Sequence, residues 1–313
     1  RLVRDWSSDV CSSDLRRTSA GQFTPPDTIV LHPYGRFCNA FKFAGEVDVL
    51  EALAHAKKQY PVDNNRVSIR GFSMGGGGCW HLGAHLAGDW VAVAPGAGFA
   101  ESLEYLGLAR KNTMPPAHEQ ALWGLYDATK YAGNLFNTAT VAYSGEIDKQ
   151  KQAADIMARH LTDEDLALHH VIGPDTGHKY HPAAKAEINE RLNAAAAKGR
   201  NPVPSEVRLV TRTLRYNRQA WVQVDGLEAH WKPARIKARI AGNERAALTT
   251  DNVSRLVLSI PSRLCPLRPD RHPPRALDRA ALTRARALTD RSSESPRCHP
   301  PRHLPDPRCP VPT

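Results

Sequence analysis

The sequence predicts an α/β fold in which helices cover both faces of a mostly parallel sheet, followed by a small antiparallel β module and a disordered tail. Strand-like and helix-like segments alternate between residues 26 and 198, which is typical of parallel strands joined by helices. From residue 207 to 261, apolar residues recur at every second position, as in antiparallel strands. From residue 265 onward the composition shifts to Arg and Pro, which disfavours a packed core.

The strand-like segments of the first region are short and consist mainly of β-branched or small apolar residues. We expect the sheet to be formed by residues 28–31, 67–70, 91–94, 139–143 and 166–172. Apolar residues at helical spacing predict helices at 46–60, after Ser73, at 149–160 and at 182–198. Pro61 ends the first of these helices and Gly199 the last. Residues 101–135, rich in Trp, Tyr and Leu, are expected to form helices that cap the site.

The change of period divides the expected fold into an α/β domain at residues 21–200 and a small accessory β domain, or module, at residues 203–264. Within the module we expect strands at 207–211, 221–224, 236–240 and 256–260. The dipeptides Asp225-Gly226 and Gly242-Asn243 are typical turn sequences and are expected to separate some of these strands.

Both ends of the chain are expected to lie outside the fold. Residues 4–15 resemble the translation of a sequencing-library adapter, so residues 1–20 are interpreted as foreign and disordered. Residues 265–313 hold 11 of the 24 prolines, ten arginines and no lysine, a composition that out-of-frame reading of GC-rich DNA produces. A genuine low-complexity tail is the alternative. In either case we expect a fragment of a longer protein without its own N-terminus, so the sequence indicates no compartment.

The net charge of +10 does not indicate a nucleic-acid partner, because half of it comes from the tail, where no aromatic residues are interleaved to stack on bases. No apolar run reaches the roughly 18 residues that a membrane span needs. Only Cys38 and Cys79 belong to the expected fold, and they lack the spacing of a zinc site or a disulfide framework. We therefore expect no metal, organic cofactor, nucleic-acid partner or membrane partner. Cys79 is predicted to be a small core residue.

Residues 66–80 contain the pattern Gly71-Phe-Ser73-Met-Gly75 between a strand and a helix. This arrangement predicts a nucleophile elbow, a tight turn that holds the central residue in a strained backbone conformation. The two glycines lack the Cβ atoms that would collide across such a turn. The Ser73 hydroxyl would stand at the helix N-terminus, where backbone amides favour a developing negative charge. The oxyanion hole is expected to use the amide of Met74 and that of Tyr34, in the loop after the first strand.

Asp148 and His178 each follow a later strand of the predicted sheet. Loops after parallel strands meet at the carboxyl edge of the sheet, so both side chains are expected to lie near Ser73. A serine hydroxyl needs a base within hydrogen-bonding distance, and His178 would take its proton and return it to the leaving group. Asp148 would orient the imidazole and stabilise its charged form.

Other residues compete for these roles. His181 lies near His178, but the glycine–histidine step directly after a strand suits a catalytic loop better. Glu146, two residues before Asp148, is an alternative acid, and Asp175 is expected to shape the loop of the histidine. The remaining candidates are interpreted as packing, surface or loop-organising residues: His32, Trp80, His81, His85, His169 and His170.

Taken together, these motifs resemble the catalytic domain of the prolyl oligopeptidase family of α/β-hydrolases. The resemblance covers about residues 26–198 and is carried by Gly71-Phe-Ser-Met-Gly75, Gly145-Glu-Ile-Asp148 and Gly177-His178, with His32-Pro-Tyr-Gly35 upstream. It implies an N-terminally truncated α/β-hydrolase sheet, with Ser73 as nucleophile, Asp148 as acid and His178 as base. It also implies a peptide or ester substrate.

The chain departs from the family pattern at several points. The oxyanion loop reads His-Pro instead of the commoner His-Gly, the first strands of the usual sheet and an N-terminal propeller are missing from the expected fragment, and the β module is not part of the common peptidase layout. Three functions therefore stay open. They are a prolyl oligopeptidase-like serine hydrolase that cleaves a peptide or ester, a carboxylesterase acting on acylated carbohydrate or small esters, and a non-catalytic hydrolase scaffold with a binding β module.

Overall fold

The computed structural model describes residues 2–4, 23, 25, 27–36, 39–241 and 245–265. These residues form an α/β core and a module of antiparallel strands that contacts it. The α/β class with a parallel sheet, predicted from the alternation of segments, is confirmed. Nearly all of the expected tail and most of the 1–20 segment lie outside the described residues.

Six parallel strands form the core sheet. They are β1 Leu2–Arg4, β2 Ile29–Leu31, β3 Val67–Phe72, β4 Ala92–Gly96, β5 Ala139–Gly145 and β6 His169–Gly173. Their order across the sheet is β2-β1-β3-β4-β5-β6. Because the strands run in the same direction, the loops that follow them emerge at one edge of the sheet, and this edge holds the candidate site.

The position of β1 differs from the prediction of disorder for residues 1–20. β1 lies between β2 and β3 and pairs in parallel with both, so its backbone fills what would be a gap between them. Extended residues at this position satisfy backbone donors and acceptors of two strands at once, whatever the origin of the sequence. The difference concerns these three residues, and the rest of that segment lies outside the described part of the chain.

Five α-helices lie in the described part of the chain: α1 Ala44–Gln59, α2 Met74–His85, α3 Ala117–Leu122, α4 Lys151–Thr162 and α5 Pro182–Lys198. The helices α1, α2 and α4 share one face of the sheet, where Leu53 packs with Leu82 and Trp80 packs with Met157. On the opposite face, α5 packs Ile188 against β4 and β5. Helices therefore cover both faces, as predicted.

The β module consists of β7 Glu206–Thr211, β8 Arg218–Gln219, β9 Val222–Leu227, β10 Ala234–Ala241, β11 Arg245–Asp251 and β12 Val253–Leu258. They form two antiparallel sheets of three strands, β11-β10-β7 and β12-β9-β8. Trp221, Val224 and Ile236 are buried between the strands. The alternation of apolar residues in the sequence reflects this burial.

Two details of the module differ from prediction. Asp225-Gly226 was expected to form a turn but lies inside β9, because the pairing of β9 with β12 shifts register beside Gly226 and accommodates it. The strand β11 was not among the expected strands, because it carries no run of alternating large apolar residues. It pairs with β10 as an edge strand through its backbone. The expected turn at Gly242-Asn243 lies outside the described residues.

Side-chain amides join the module to the core. Asn134 Nδ2 donates to the Val210 carbonyl at 3.0 Å, and the Val210 amide donates back to Asn134 Oδ1 at 2.6 Å. The Gly88 amide donates to Gln219 Oε1 at 3.0 Å. These buried contacts bind backbone groups specifically, so the module has a defined position on the core.

Candidate active site

Ser73 lies in the tight turn between β3 and α2, as the sequence pattern predicted. Its backbone has φ 56° and ψ −119°, a conformation that costs energy for a residue with a Cβ. A Cβ on Gly71 would clash with the Gly75 carbonyl, and one on Gly76 would clash with the Gly96 carbonyl of β4. These glycines therefore allow α2 to start directly against the sheet and keep the elbow closed.

The structure brings Ser73, His178 and Asp148 together at the carboxyl edge of the sheet. His178 Nε2 lies 2.7 Å from Ser73 Oγ, and His178 Nδ1 lies 2.9 Å from Asp148 Oδ2. With Nδ1 protonated, the imidazole donates to the carboxylate and accepts from the serine hydroxyl. Each of these contacts has the length of a good hydrogen bond.

The two members of the His178–Asp148 pair differ in exposure. The side chain of Asp148 is 2% exposed, whereas that of His178 is 40% exposed. The second carboxylate oxygen of Asp148 accepts a hydrogen bond from the Gln150 amide at 2.9 Å, which fixes its orientation. A buried, oriented carboxylate therefore supports a histidine side chain that is accessible from solvent.

The residues that competed for these roles have other contacts. The backbone N–H of His181 donates to the hydroxyl of Tyr143, and Glu146 accepts from the backbone N–H of Asp175 at 2.9 Å. His169 contacts Glu187 on the surface, and His170 lies 3.0 Å from Ser144 Oγ. Trp80 and Cys79 are core residues, as expected, and burial raises the pKa of the Cys79 thiol.

Of the two expected oxyanion donors, Met74 is the first residue of α2, directly after Ser73. Tyr34 follows β2 and is 54% exposed. Because β1 separates β2 from β3, the axes of these two strands lie roughly 10 Å apart. Tyr34 as an oxyanion donor stays a prediction.

A buried charge cluster borders the elbow helix, and sequence reasoning did not identify it. Lys42 Nζ lies 4.6 Å from the ring centre of Tyr126 and 5.4 Å from that of Phe99. Burial raises the pKa of Asp127 to about 6, while the Ser102 hydroxyl, which donates at 2.8 Å, opposes this shift. Ser102, Tyr126 and Asp127 lie between β4 and β5 in the segment expected to cap the site, whereas Lys42 precedes α1 and Phe99 follows β4.

A second missed cluster lies beneath α2. Glu46 accepts hydrogen bonds from His81 Nε2 at 2.6 Å, Tyr216 Oη at 2.7 Å and Arg215 at 2.7 Å. Burial alone would raise the pKa of Glu46, but these three hydrogen bonds outweigh it and hold the pKa below its ordinary value. Burial lowers the pKa of His81. His81 therefore does more than pack: it donates a hydrogen bond to an ionised carboxylate.

Among the described residues, no group of three or more His, Cys, Asp or Glu side chains could hold a metal ion. In the same part of the chain, the helices are too short or too polar to span a membrane.

Comparisons with known proteins found structural similarity. No protein-family model and no curated protein matches the chain. A protein assigned as a dipeptidyl aminopeptidase IV from Bacteroides ovatus is similar in structure over 63% of this chain, at 13% identity and a TM-score of 0.47. Dipeptidyl peptidase 4 from Porphyromonas gingivalis aligns over 63% at 17% identity, with a TM-score of 0.44. An S-formylglutathione hydrolase from Agrobacterium tumefaciens aligns over 63% at 15% identity, with a TM-score of 0.44. The chain spans 31% of the length of each peptidase chain and 83% of the S-formylglutathione hydrolase.

Proposed function

We propose that the protein is a serine hydrolase that cleaves a peptide or ester bond through an acyl-serine intermediate. The observation that carries this proposal is the pair of hydrogen bonds that joins Ser73 to His178 and His178 to Asp148. This arrangement is the one that acyl transfer requires of a nucleophile, a base and an orienting acid, and Ser73 also lies on a strained elbow, which supports the proposal.

In the proposed reaction, Ser73 Oγ attacks the substrate carbonyl while His178 Nε2 accepts the hydroxyl proton. The resulting imidazolium is stabilised by the buried carboxylate of Asp148 at 2.9 Å. His178 then gives the proton to the leaving amine or alcohol, which departs and leaves the acyl group on Ser73. A water molecule, deprotonated by His178, then attacks the acyl group. His178 returns that proton to Ser73 Oγ as the acyl–oxygen bond breaks, and the carboxylic acid leaves.

Charge that develops on the carbonyl oxygen would be met at the N-terminus of α2. The twelve-residue helix directs its first amides towards this end, and Met74 is its first residue. Two donors are typical of an oxyanion hole, and removing one commonly costs about 100- to 1000-fold in rate. We assign one donor to Met74 and retain Tyr34 as the proposed second.

Substrate preference separates the two enzymatic versions of the proposal. A prolyl oligopeptidase-like peptidase would cleave proline-containing peptides, whereas a carboxylesterase acting on acylated carbohydrate or small esters would turn over nitrophenyl esters and leave those peptides intact. Assaying both substrates with the same preparation distinguishes them. The Ser73→Ala variant should abolish whichever activity is present.

Labelling with a fluorophosphonate probe tests the proposal without knowledge of the substrate. The wild-type protein should label at Ser73, Ser73→Ala should not label, and the exposed Ser205→Ala should label like wild type. A wild-type protein that is folded by circular dichroism but does not label would contradict the hydrolase proposal. That outcome would favour a scaffold whose β module binds a ligand.

A further inference from the structure

Tyr143 holds the loop that carries His178, although the proposed mechanism assigns it no role. Its side chain is buried on β5, and its hydroxyl donates to the Lys179 carbonyl at 2.6 Å. The same oxygen accepts from the His181 amide at 2.8 Å. One phenol therefore binds two backbone groups within three residues of the histidine, and it uses its donor and an acceptor position at once.

A series of contacts between aromatic rings connects Tyr143 to the imidazole of His178. The rings of Tyr143 and Tyr180 stack at 4.6 Å, and Tyr180 contacts Phe72 at 4.8 Å. Phe72, the residue directly before Ser73, contacts the ring of His178 at 4.8 Å. The imidazole is thus packed against the strand that ends at the nucleophile, and the far end of the stack is fixed by the Tyr143 hydroxyl.

Glycines leave the space that the two phenols occupy. A Cβ on Gly173, the last residue of β6, would lie 2.7 Å from Tyr143 Oη. A Cβ on Gly96, the last residue of β4, would lie 2.7 Å from Tyr180 Oη. The strands on either side of β5 therefore end in residues without side chains. A larger residue at either position would displace the hydroxyl of Tyr143 or Tyr180.

The strand of Tyr143 also leads to the acid. β5 ends at Gly145, and Asp148 follows three residues later. The Ile147 amide donates to the Thr176 carbonyl at 3.2 Å, so the turn that carries the acid and the loop that carries the base are joined directly. Tyr143 belongs to β5, which leads to Asp148, and its hydroxyl binds the loop that carries His178. This hydroxyl can therefore fix the distance between the acid and the base.

We propose that Tyr143 is a positioning residue that holds His178 in line between Asp148 and Ser73. This inference rests on the proposed serine hydrolase function. The hydrogen bonds of 2.7 Å and 2.9 Å on the two sides of the imidazole leave the ring little room to move without breaking one of them. A displacement of about 1 Å of a catalytic group can cost roughly 100-fold in rate.

The protonation state of the phenol is consistent with this role. Burial raises the pKa of Tyr143, so the hydroxyl stays protonated and continues to donate to the Lys179 carbonyl under alkaline conditions.

The test compares two variants that each remove one buried hydroxyl. Tyr143→Phe removes both loop contacts, whereas the control Tyr131→Phe removes the 2.6 Å hydrogen bond from Tyr131 to the Gly124 carbonyl, away from the triad. Tyr143→Phe should lower kcat and the fluorophosphonate labelling rate by about 10- to 100-fold with little change in KM. Tyr131→Phe should stay within about twofold of wild type, although both variants lose similar stability.

A spectroscopic measurement separates failure of this inference from failure of the proposed function. The Nδ1 proton between His178 and Asp148 should give a far-downfield NMR resonance in wild type, in Ser73→Ala and in Tyr131→Phe. In Tyr143→Phe that resonance should broaden or vanish through exchange. A wild type that does not label but shows this pattern would contradict the hydrolase function and support the positioning role.

Wild-type labelling rate and an unchanged resonance in Tyr143→Phe would overturn the inference. Gly173→Ala provides a second variant if Tyr143→Phe does not fold, because its methyl group would press on the Tyr143 hydroxyl. It should slow labelling and broaden the resonance in the same way, and wild-type behaviour of a folded Gly173→Ala would equally overturn the inference.

Discussion

Two histidine–carboxylate pairs in this molecule have similar contacts and different surroundings. His178 lies 2.9 Å from Asp148, and His81 lies 2.6 Å from Glu46. The side chain of His178 is 40% exposed and its other nitrogen reaches Ser73. The side chain of His81 is 1% exposed, and its carboxylate partner is shared with Arg215.

The comparison shows that the pair alone does not define a catalytic histidine. An accessible ring beside the Ser73 hydroxyl makes the first pair suited to proton transfer. In the second pair, the ring is enclosed and the carboxylate is surrounded by three donors, which suits it to joining α1, α2 and the β module. We therefore expect changes at the first pair to affect activity and changes at the second to affect stability.

The largest expected effect is on activity at His178. His178→Ala should lower kcat and the labelling rate at Ser73 by about 1000-fold or more, because the serine loses its base. The free energy of unfolding in urea should change little, since the side chain is partly exposed. His169→Ala, in which an exposed histidine contacting Glu187 is lost, serves as the control and should keep wild-type activity. An active His178→Ala would contradict the assignment of the base.

The second pair should show the opposite result. Glu46→Ala should lower the free energy of unfolding by about 3 to 5 kcal/mol, because it leaves buried donors without their charged partner. Labelling per folded molecule should remain near wild type. Glu51→Ala, at an exposed position of α1, is the matched control in the same urea titration. A loss of less than about 1 kcal/mol for Glu46→Ala would show that the cluster does not hold the fold together.

The free energy of unfolding, measured as a function of pH, should reveal the lowered pKa of His81, the buried partner of Glu46. Burial lowers its pKa in the folded state below the ordinary value of 6.5, so the unfolded chain binds a proton more readily. Stability from this group is therefore present above pH 6.5 and is lost as pH falls below it. The stability difference between wild type and His81→Gln should shrink on acidification. A pH-independent difference between wild type and His81→Gln would contradict the argument.

A smaller effect of opposite sign is expected at Asp127. Burial raises its folded pKa from 3.8 to about 6, so the folded protein binds a proton more readily than the unfolded chain. This group makes stability fall as pH rises from about 4 to about 6. Asp127→Asn should lack that component, measured by urea titrations across the range. A wild-type advantage that grows as pH rises would contradict the shift.

Local signals in the sequence were enough to predict the elbow, the locations of strands β2 to β6 and helix α5, whose bounds coincide with the predicted 182–198. Glycine spacing, proline at the helix start and β-branched runs act over a few residues, so they can be read directly. The geometry of Ser73, Asp148 and His178 followed because parallel strands end at one edge.

Other features depend on partners far apart in the chain. Tyr216 and Glu46 are 170 residues apart, and Tyr143 binds a carbonyl 36 residues later. Nothing in the local pattern indicates these contacts, which arise only when the module and the loops assemble. β11 was missed for the same reason. An edge strand is held by backbone pairing with its neighbour and needs few apolar side chains, so its local sequence carries little signal.

Trapping the acyl-enzyme tests the central proposal most directly. After brief reaction with nitrophenyl acetate and an acid quench, mass spectrometry of the intact protein and its peptides should show one acetyl group, attached to Ser73. Ser73→Ala should show none, and His178→Ala should accumulate it far more slowly. Turnover of the ester by wild type without an adduct on Ser73, or with the acetyl group on another residue, would contradict the acyl-serine mechanism.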